Sequence, residues 1–382
     1  MPIINLTHNF SSGHALKDWF KHLYPSEQDF IRTKLGSLVD LIDIELDLGF
    51  LRNLLEKWDA NTFSFKFGDF ELSPTLEEYI QLARLPHIPG LLPLERTPSL
   101  KNDLPIVLNV TPTVASSLIT SHIHVNIEEL LLCERSVYVA ENEEGQLSAR
   151  AFILAVIGMI IFPFTKRSIH ARAVHITRAL LLGKPIIPTI LGETLSGLTR
   201  INIQARGGVR NHDITFCLPL LLTWFSSHLG ISAYKYLHDQ DLLQHISRRI
   251  SLPPKGFTHW KSFFESLTSN HFVHMSRHFK TGPIMFAVKR SAYIPILGLH
   301  GSSYYVPIRV AHEFGGFPKV PPHQHLHKSF YADDLQIHKE WEQPRIIEFT
   351  CPIIDLNEYD LMVATFKHQR LALERSLPST SR

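Results

Sequence analysis

Residues 51–85, LRNLLEKWDANTFSFKFGDFELSPTLEEYIQLARL, decide how this chain is read. Leu51, Leu54, Leu55 and Trp58 stand at i, i+3, i+4 and i+7, one face of an amphipathic helix, and Asp47 is placed to cap its N-terminus. Phe63, Phe65 and Phe67 then alternate with Ser64 and Lys66, the two-residue period of a strand. Gly68-Asp69 is a turn signal, and Phe70-Glu71-Leu72 can return as a second short strand. The next helix has two possible starts: Ser73 with Pro74 in the first turn, or Thr75 with Glu78 three residues on, a capping box. Leu76, Tyr79, Ile80 and Leu82 continue it and Pro86 stops it. Helix, hairpin and helix must cover each other's apolar faces, so Trp58, Phe65, Phe67, Leu76 and Tyr79 are expected in one buried cluster.

Working outward, 15–23 reads as a helix, and 38–48 alternates apolar and acidic residues, as either a strand or a loop into the next helix. Prolines 89, 93, 98, 105 and 112 make 87–112 a loop-rich connection in which helix is not expected. Helices are expected over 113–120, 127–135, 149–161 (capped by Ser148), 168–182, 189–198, 216–228, 239–250, 260–267, 304–314 and 358–375. Loops are expected at 140–145, 204–213 and 315–327, strand-like character at 283–298, and a disordered Ser-Thr tail at 376–382. These elements make a mainly α chain with a small β-hairpin (α+β), a multi-helix globular domain with Trp224 among its core residues.

Composition narrows the function. Of 382 residues 44% are hydrophobic, enough to bury a large core. Cys133, Cys217 and Cys351 are far apart and odd in number, matching no zinc or disulfide framework, so a reducing compartment is expected. The opening MPIINLTHNF has neither the basic start nor the apolar run of a signal peptide. The apolar run 151–164 is shorter than the roughly 18 residues a bilayer requires, so no membrane is expected.

Net charge is +2, unevenly spread: residues 1–150 hold 12 Lys+Arg against 21 Asp+Glu, and residues 151–290 hold 17 against 5. Either the basic middle meets an anionic partner, through Arg167, Arg172, Arg178, Arg206 and Arg210, or the two halves neutralise each other inside one fold. Arg206-Gly207-Gly208-Val209-Arg210-Asn211-His212 is the stretch best suited to an anion, since glycines admit backbone N–H groups and arginines make forked contacts.

Three further stretches, taken with residues 51–85, carry a family resemblance. The opening contributes Leu51, Arg52, Trp58-Asp59, Phe63, Phe65, Phe67-Gly68, Leu72 and Pro74 to Tyr79. Ala149-Arg150-Ala151 runs through Ile157-Gly158-Met159 to Phe162-Pro163. Pro188-Thr189-Ile190-Leu191-Gly192-Glu193-Thr194 is followed by 220–228, LLLTWFSSH. Pro295-Ile296-Leu297-Gly298-Leu299 comes before Tyr304-Tyr305-Val306-Pro307. In this order, over roughly residues 35–320, they resemble an uncharacterised plant family related to the plant mobile domain of retrotransposon-associated and domesticated transposon proteins. The resemblance implies a mostly helical domain at 36–330, with 1–35 as an N-terminal adapter and 331–382 as a C-terminal helix and tail. It also implies transposon-derived ancestry and a nuclear role through protein partners. Relatives of this kind often continue into coiled-coil or polyprotein parts, whereas here one helix is expected after the domain.

Enzyme signatures of such elements are missing from the sequence. There is no Asp-Thr-Gly, no Cys-Cys-His-Cys knuckle and no Gly-x-Ser-x-Gly, and Pro185 breaks the phosphate-loop pattern after Gly183-Lys184. An aminotransferase label attached to related proteins finds no identifiable Schiff-base lysine here. The middle region is poor in carboxylates, with Glu193, Asp213, Asp239, Asp241 and Glu265, whereas two-metal chemistry needs them clustered. His271, His274 and His278 share a helix face, and His323, His325 and His327 one side of a strand, but no cysteine or carboxylate stands near enough to complete a metal's coordination. The expectation is therefore a non-enzymatic interaction module with no cofactor and no metal. Nucleic-acid binding is the alternative, and a residual hydrolase or nuclease is the third reading.

Overall fold

The structure is a computed structural model and describes residues 5–7, 12–44, 46–68, 70–85, 98–126, 129–130, 147–164, 168–209, 211–228, 257–268, 283–288, 294–305 and 344–348. The expectations for 127–128, 131–146, 239–250, 306–343 and 349–382 lie outside these residues, as do Arg167, Arg210, Cys133, Cys351 and both histidine triplets.

The chain is mainly α with small sheets. Asp47 caps the Leu48–Glu56 helix as expected, accepting from the Phe50 N–H at 2.9 Å, and its other oxygen accepts from Trp260 Nε1 at 2.8 Å. The expected hairpin is a three-stranded antiparallel sheet. Trp58–Asp59 pairs with Ser64–Phe67, which pairs with Phe70–Leu72. The extra strand exists because the Leu48–Glu56 helix delivers Trp58 opposite Phe65, and the two rings meet edge to face at 4.9 Å. Of the two possible helix starts the fold uses Thr75, ahead of Leu76–Ala83, with the capping box made in both directions. Ser73 instead donates to the Phe63 carbonyl at 2.7 Å.

Two expectations are corrected here. Residues 38–48 form neither strand nor simple loop: Gly36–Asp43 is a 3-10 helix whose Leu38, Val39 and Leu41 are all buried. Helix also occurs within the proline-rich connection, at Leu100–Leu108, with Pro105 inside it. An internal proline costs about 3 kcal/mol. Burying Leu100, Leu104, Val107 and Leu108, at about 1.5–3 kcal/mol each, offsets it.

Other boundaries shift for tertiary reasons. Pro112–Ser117 is helical, but Ile119–Ser121 is a strand in a second sheet with His124–Asn126 and Ser168–His170. The helix expected from 168 therefore begins at Ala171, with His170 Nδ1 accepting the Arg172 N–H at 3.1 Å. Leu147–Val156 passes into a π-helical turn at Ile157–Ile161. Ser148 lies inside that helix, where its hydroxyl accepts from Trp19 Nε1 at 3.1 Å. The Ile187–Arg206 helix runs past the expected end at 198, and Asn211–Asp213, expected as loop, pairs in parallel with Asn5–Thr7. Two antiparallel pairs, Ile294–Leu297 with Ser302–Tyr305 and Pro344–Glu348 with Pro283–Val288, complete the described sheets.

One core runs through these elements. It takes Leu16 and Trp19 from the Ser12–His22 helix and Ile31 and Leu35 from Pro25–Leu35, and Trp19 packs edge-on against Phe152 at 5.4 Å. Trp58, Phe65, Phe67, Leu76, Tyr79 and Trp224 are all buried in it. Phe65 lies against Trp224 at 5.9 Å, and Phe67 against Phe225 at 5.6 Å. The apolar Leu147–Val156 and Leu218–His228 helices belong to this core, and among the described residues no helix is long and apolar enough to cross a membrane.

Candidate functional site

Polar chemistry inside this core is concentrated on buried carboxylates, each tying together distant parts of the chain. Glu78, in the first turn after Thr75, is 4% exposed. Its Oε2 accepts from the Thr75 hydroxyl at 2.6 Å, the Thr75 N–H at 3.2 Å and Trp224 Nε1 at 2.7 Å, while Oε1 lies 2.8 Å from His228 Nε2. Burial alone would raise this carboxyl's pKa. The His228 charge and the hydrogen bonds from His228, Thr75 and Trp224 outweigh burial and hold it below the ordinary glutamate value. The neighbouring Glu77 accepts from the buried Tyr305 hydroxyl, whose pKa is driven well up by burial and by that carboxylate.

Glu193 repeats the arrangement on the Ile187–Arg206 helix. It is fully buried, accepts from the Thr215 hydroxyl, from the His300 N–H at 2.9 Å, and faces His300 Nδ1 at 2.8 Å. Here too the His300 and Thr215 contacts overcome burial and lower the carboxyl's pKa. The backbones meet closely at this point. A Cβ added at Gly192 would lie 2.7 Å from the Leu297 carbonyl, and one at Gly298 would lie 2.7 Å from the Glu193 backbone. Glycine at both positions lets the hairpin at 294–305 press directly onto the helix.

A third carboxylate, Asp103, is buried between Arg178, at 2.7 Å, and His175, at 3.4 Å. Burial would raise its pKa, but the His175 and Arg178 contacts lower it. Cys217 is buried and its thiol is pushed up to about 12, which leaves it unreactive as a nucleophile at neutral pH. One small pocket between Phe63, Ser73, Thr75, Leu195, Tyr304 and Tyr305 encloses about 10 Å³, room for roughly one water.

The described arginines expected to contact an anion, Arg172, Arg178 and Arg206, each have a partner within the fold. The Arg178 guanidinium is on Asp103, and Arg206 lies 3.7 Å from Asp59. Arg172 donates to the Leu299 carbonyl. Two of these three thus meet carboxylates from the acidic first 150 residues. Among the described residues no group of three or more His, Cys, Asp or Glu is arranged to hold a metal ion.

Sequence reading saw Glu78 only as a cap and Glu193 only as a sparse carboxylate. A glutamate set in an apolar run, Ile190-Leu191-Gly192-Glu193-Thr194-Leu195, was the available signal, because a buried charge needs partners elsewhere in the chain. The span 16–362, which contains every one of these clamps, matches one family. The chain belongs to the family described as Domain of unknown function (DUF7745). No curated protein and no solved structure matches it.

Proposed function

We propose that this member of the DUF7745 family is a non-enzymatic interaction module of plant mobile domain-like, transposon-derived ancestry, acting in the nucleus through protein partners. The observation that carries the reading is the use made of the buried ionisable groups. Glu78 ties residues 146 positions apart through Trp224, Glu193 ties residues 107 apart through His300, and Glu77 ties residues 228 apart through Tyr305. Groups committed to such bonds hold a scaffold together, whereas a general acid or base must reach a substrate's proton. The order of motifs along the chain supports the ancestry, and the ancestry supports the nuclear setting.

The nucleic-acid reading is weakened by the Arg178–Asp103 and Arg206–Asp59 pairs, which neutralise part of the basic middle from within. The test is binding of generic duplex DNA and of RNA to the full chain at two salt concentrations. Weak binding with a shallow salt dependence is expected. A log–log slope of several units, at about 0.9 per phosphate contact on duplex DNA, would replace the proposal with nucleic-acid binding. In parallel, a complex captured from plant nuclear extract is expected to survive nuclease treatment.

A further inference from the structure

Trp260, on the Phe257–Ser266 helix, sits in a slot built by the start of the Leu48–Glu56 helix. Gly49 leaves the floor of the slot bare, since a Cβ there would come 3.1 Å from Trp260 Cδ1. Phe50 meets the indole edge to face at 5.0 Å, and Asp47 Oδ2 accepts its N–H at 2.8 Å. Four residues on, Phe264 fills a second slot between Phe50, Phe67 and Phe225, with ring centroids at 5.0, 6.3 and 5.8 Å. Leu267, just past the helix, is the third buried side chain on this face, while Lys261, Ser262, Glu265 and Ser266 are exposed. Side chains at i, i+4 and i+7 thus enter one groove, the way an amphipathic helical peptide is bound.

The walls of the groove are held independently of what fills it. Leu51, Leu54 and Leu55 fix the Leu48–Glu56 helix in the core, Phe67 pairs with Phe70 in the three-stranded sheet, and Trp224 ties the Leu218–His228 helix to Glu78. Asp47 keeps its other bond, to the Phe50 N–H, when the indole is withdrawn. A groove that keeps its shape when empty is preorganised for a ligand.

We propose that this groove is a docking site for an amphipathic helix of another protein with Trp, Phe and Leu at i, i+4 and i+7, and that the chain's own 257–267 segment occupies it reversibly. The proposal rests on the reading of the chain as an interaction module, to which it gives a surface and a class of partner. Asp47 makes the first position specific, because a phenyl ring in that slot offers the carboxylate no N–H. A second copy of the chain brings the same segment without the tether and loses to the tethered one, so the competitor is a foreign helix.

A fluorescein-labelled peptide of residues 257–268, titrated against the full chain and against the full chain carrying Trp260→Ala with Phe264→Ala, tests this. The unsubstituted chain is expected to bind at least about tenfold more weakly than the double variant, because its groove is open for only a fraction of the time. Asp47→Asn, added to the double variant, keeps an oxygen for the Phe50 N–H and turns a donor toward the indole. It is expected to weaken binding about tenfold, an effect absent for a peptide carrying Trp260→Phe. Hydrogen exchange of the unsubstituted chain needs no variant and decides the matter if the double variant fails to fold: amides of 260–266 are expected to exchange at least about tenfold faster than those of the Leu48–Glu56 helix. The proposal is overturned if the folded double variant binds no peptide, if Asp47→Asn leaves its affinity unchanged, if the unsubstituted chain binds equally well, or if both helices exchange at one rate. A dimer of the unsubstituted chain that the peptide dissociates would overturn it in favour of a second copy. Failure in these arms with a partner still captured from nuclear extract removes the groove and leaves the module reading standing.

Discussion

Glu78 and Glu193 are both buried glutamates on helices, each bound by a threonine hydroxyl and facing a histidine, yet they anchor their regions differently. Glu78 is enclosed by Thr75, Trp224 and a wholly buried His228, with Phe65 and Phe225 packed beyond. Its bonds join elements that also share a wide aromatic interface. Glu193 instead holds a short hairpin through His300, whose ring is partly exposed and lies beside the His170 imidazole. The first region is stabilised chiefly by apolar burial with a polar bolt inside it. The second rests on two glycines, the Glu193–His300 contacts, the Arg172 bond to the Leu299 carbonyl and the Tyr305 bond to Glu77. Identical chemistry therefore sits inside a wide aromatic interface in one region and under a short hairpin in the other.

The comparison breaks first at Trp224. Trp224→Ala removes a large core ring and the indole donor to Glu78, and is expected to cost about 3–5 kcal/mol in chemical denaturation. Trp58→Ala, which also loses the bond to Thr199, should fall in the same range of about 3–5 kcal/mol. A loss under about 1 kcal/mol for either would show that the aromatic interface is not what holds this region.

Acid tests the two clamps next. Glu78's carboxyl is lowered, so its contribution is complete above the unfolded value near 4.5 and is lost as pH falls through the lower folded value. Glu193's carboxyl is lowered as well, so by hydrogen exchange both regions should begin to lose protection only below about pH 4.5. An onset well above pH 4.5 at either would show that its carboxylate is not the group acid releases.

Smaller effects sharpen the picture. Gly192→Ala places a Cβ against the Leu297 backbone and should cost about 1–3 kcal/mol, with faster exchange confined to the hairpin. Arg206→Ala removes a half-exposed partner of Asp59 and should change stability by less than about 1 kcal/mol in thermal melting. If the same substitution abolished binding to DNA or RNA, Arg206 would be a contact residue despite its internal pair.

Legibility followed the range of the interactions. Caps and periodic stripes act within a few residues, so Asp47, the Thr75–Glu78 box and the Phe63–Phe65–Phe67 alternation could be read directly. The helix at Leu100–Leu108 was hidden because Pro105 speaks locally against it, while the apolar surface that rescues it belongs to the Leu147–Val156 and Ala171–Leu181 helices. Trp58–Asp59 and Ser168–His170 became strands only because partners supplied the hydrogen bonds. Nothing in residues 187–198 announced that Glu193 would meet His300, since that contact depends on where a hairpin more than a hundred positions later comes to rest.

By itself the sequence determined a mainly α chain, the aromatic core around Trp58 and Trp224, and the capped start of the helix that carries Glu78, because propensity, periodicity and capping are local and additive. Only the tertiary structure decided which charges meet. It put Arg178 on Asp103 and Arg206 on Asp59, and set His170 beside His300, the partner of Glu193. The physical reason is that a buried charge takes its energy from whatever group the fold brings within about 3–4 Å, and that proximity is a property of packing, not of spacing along the chain.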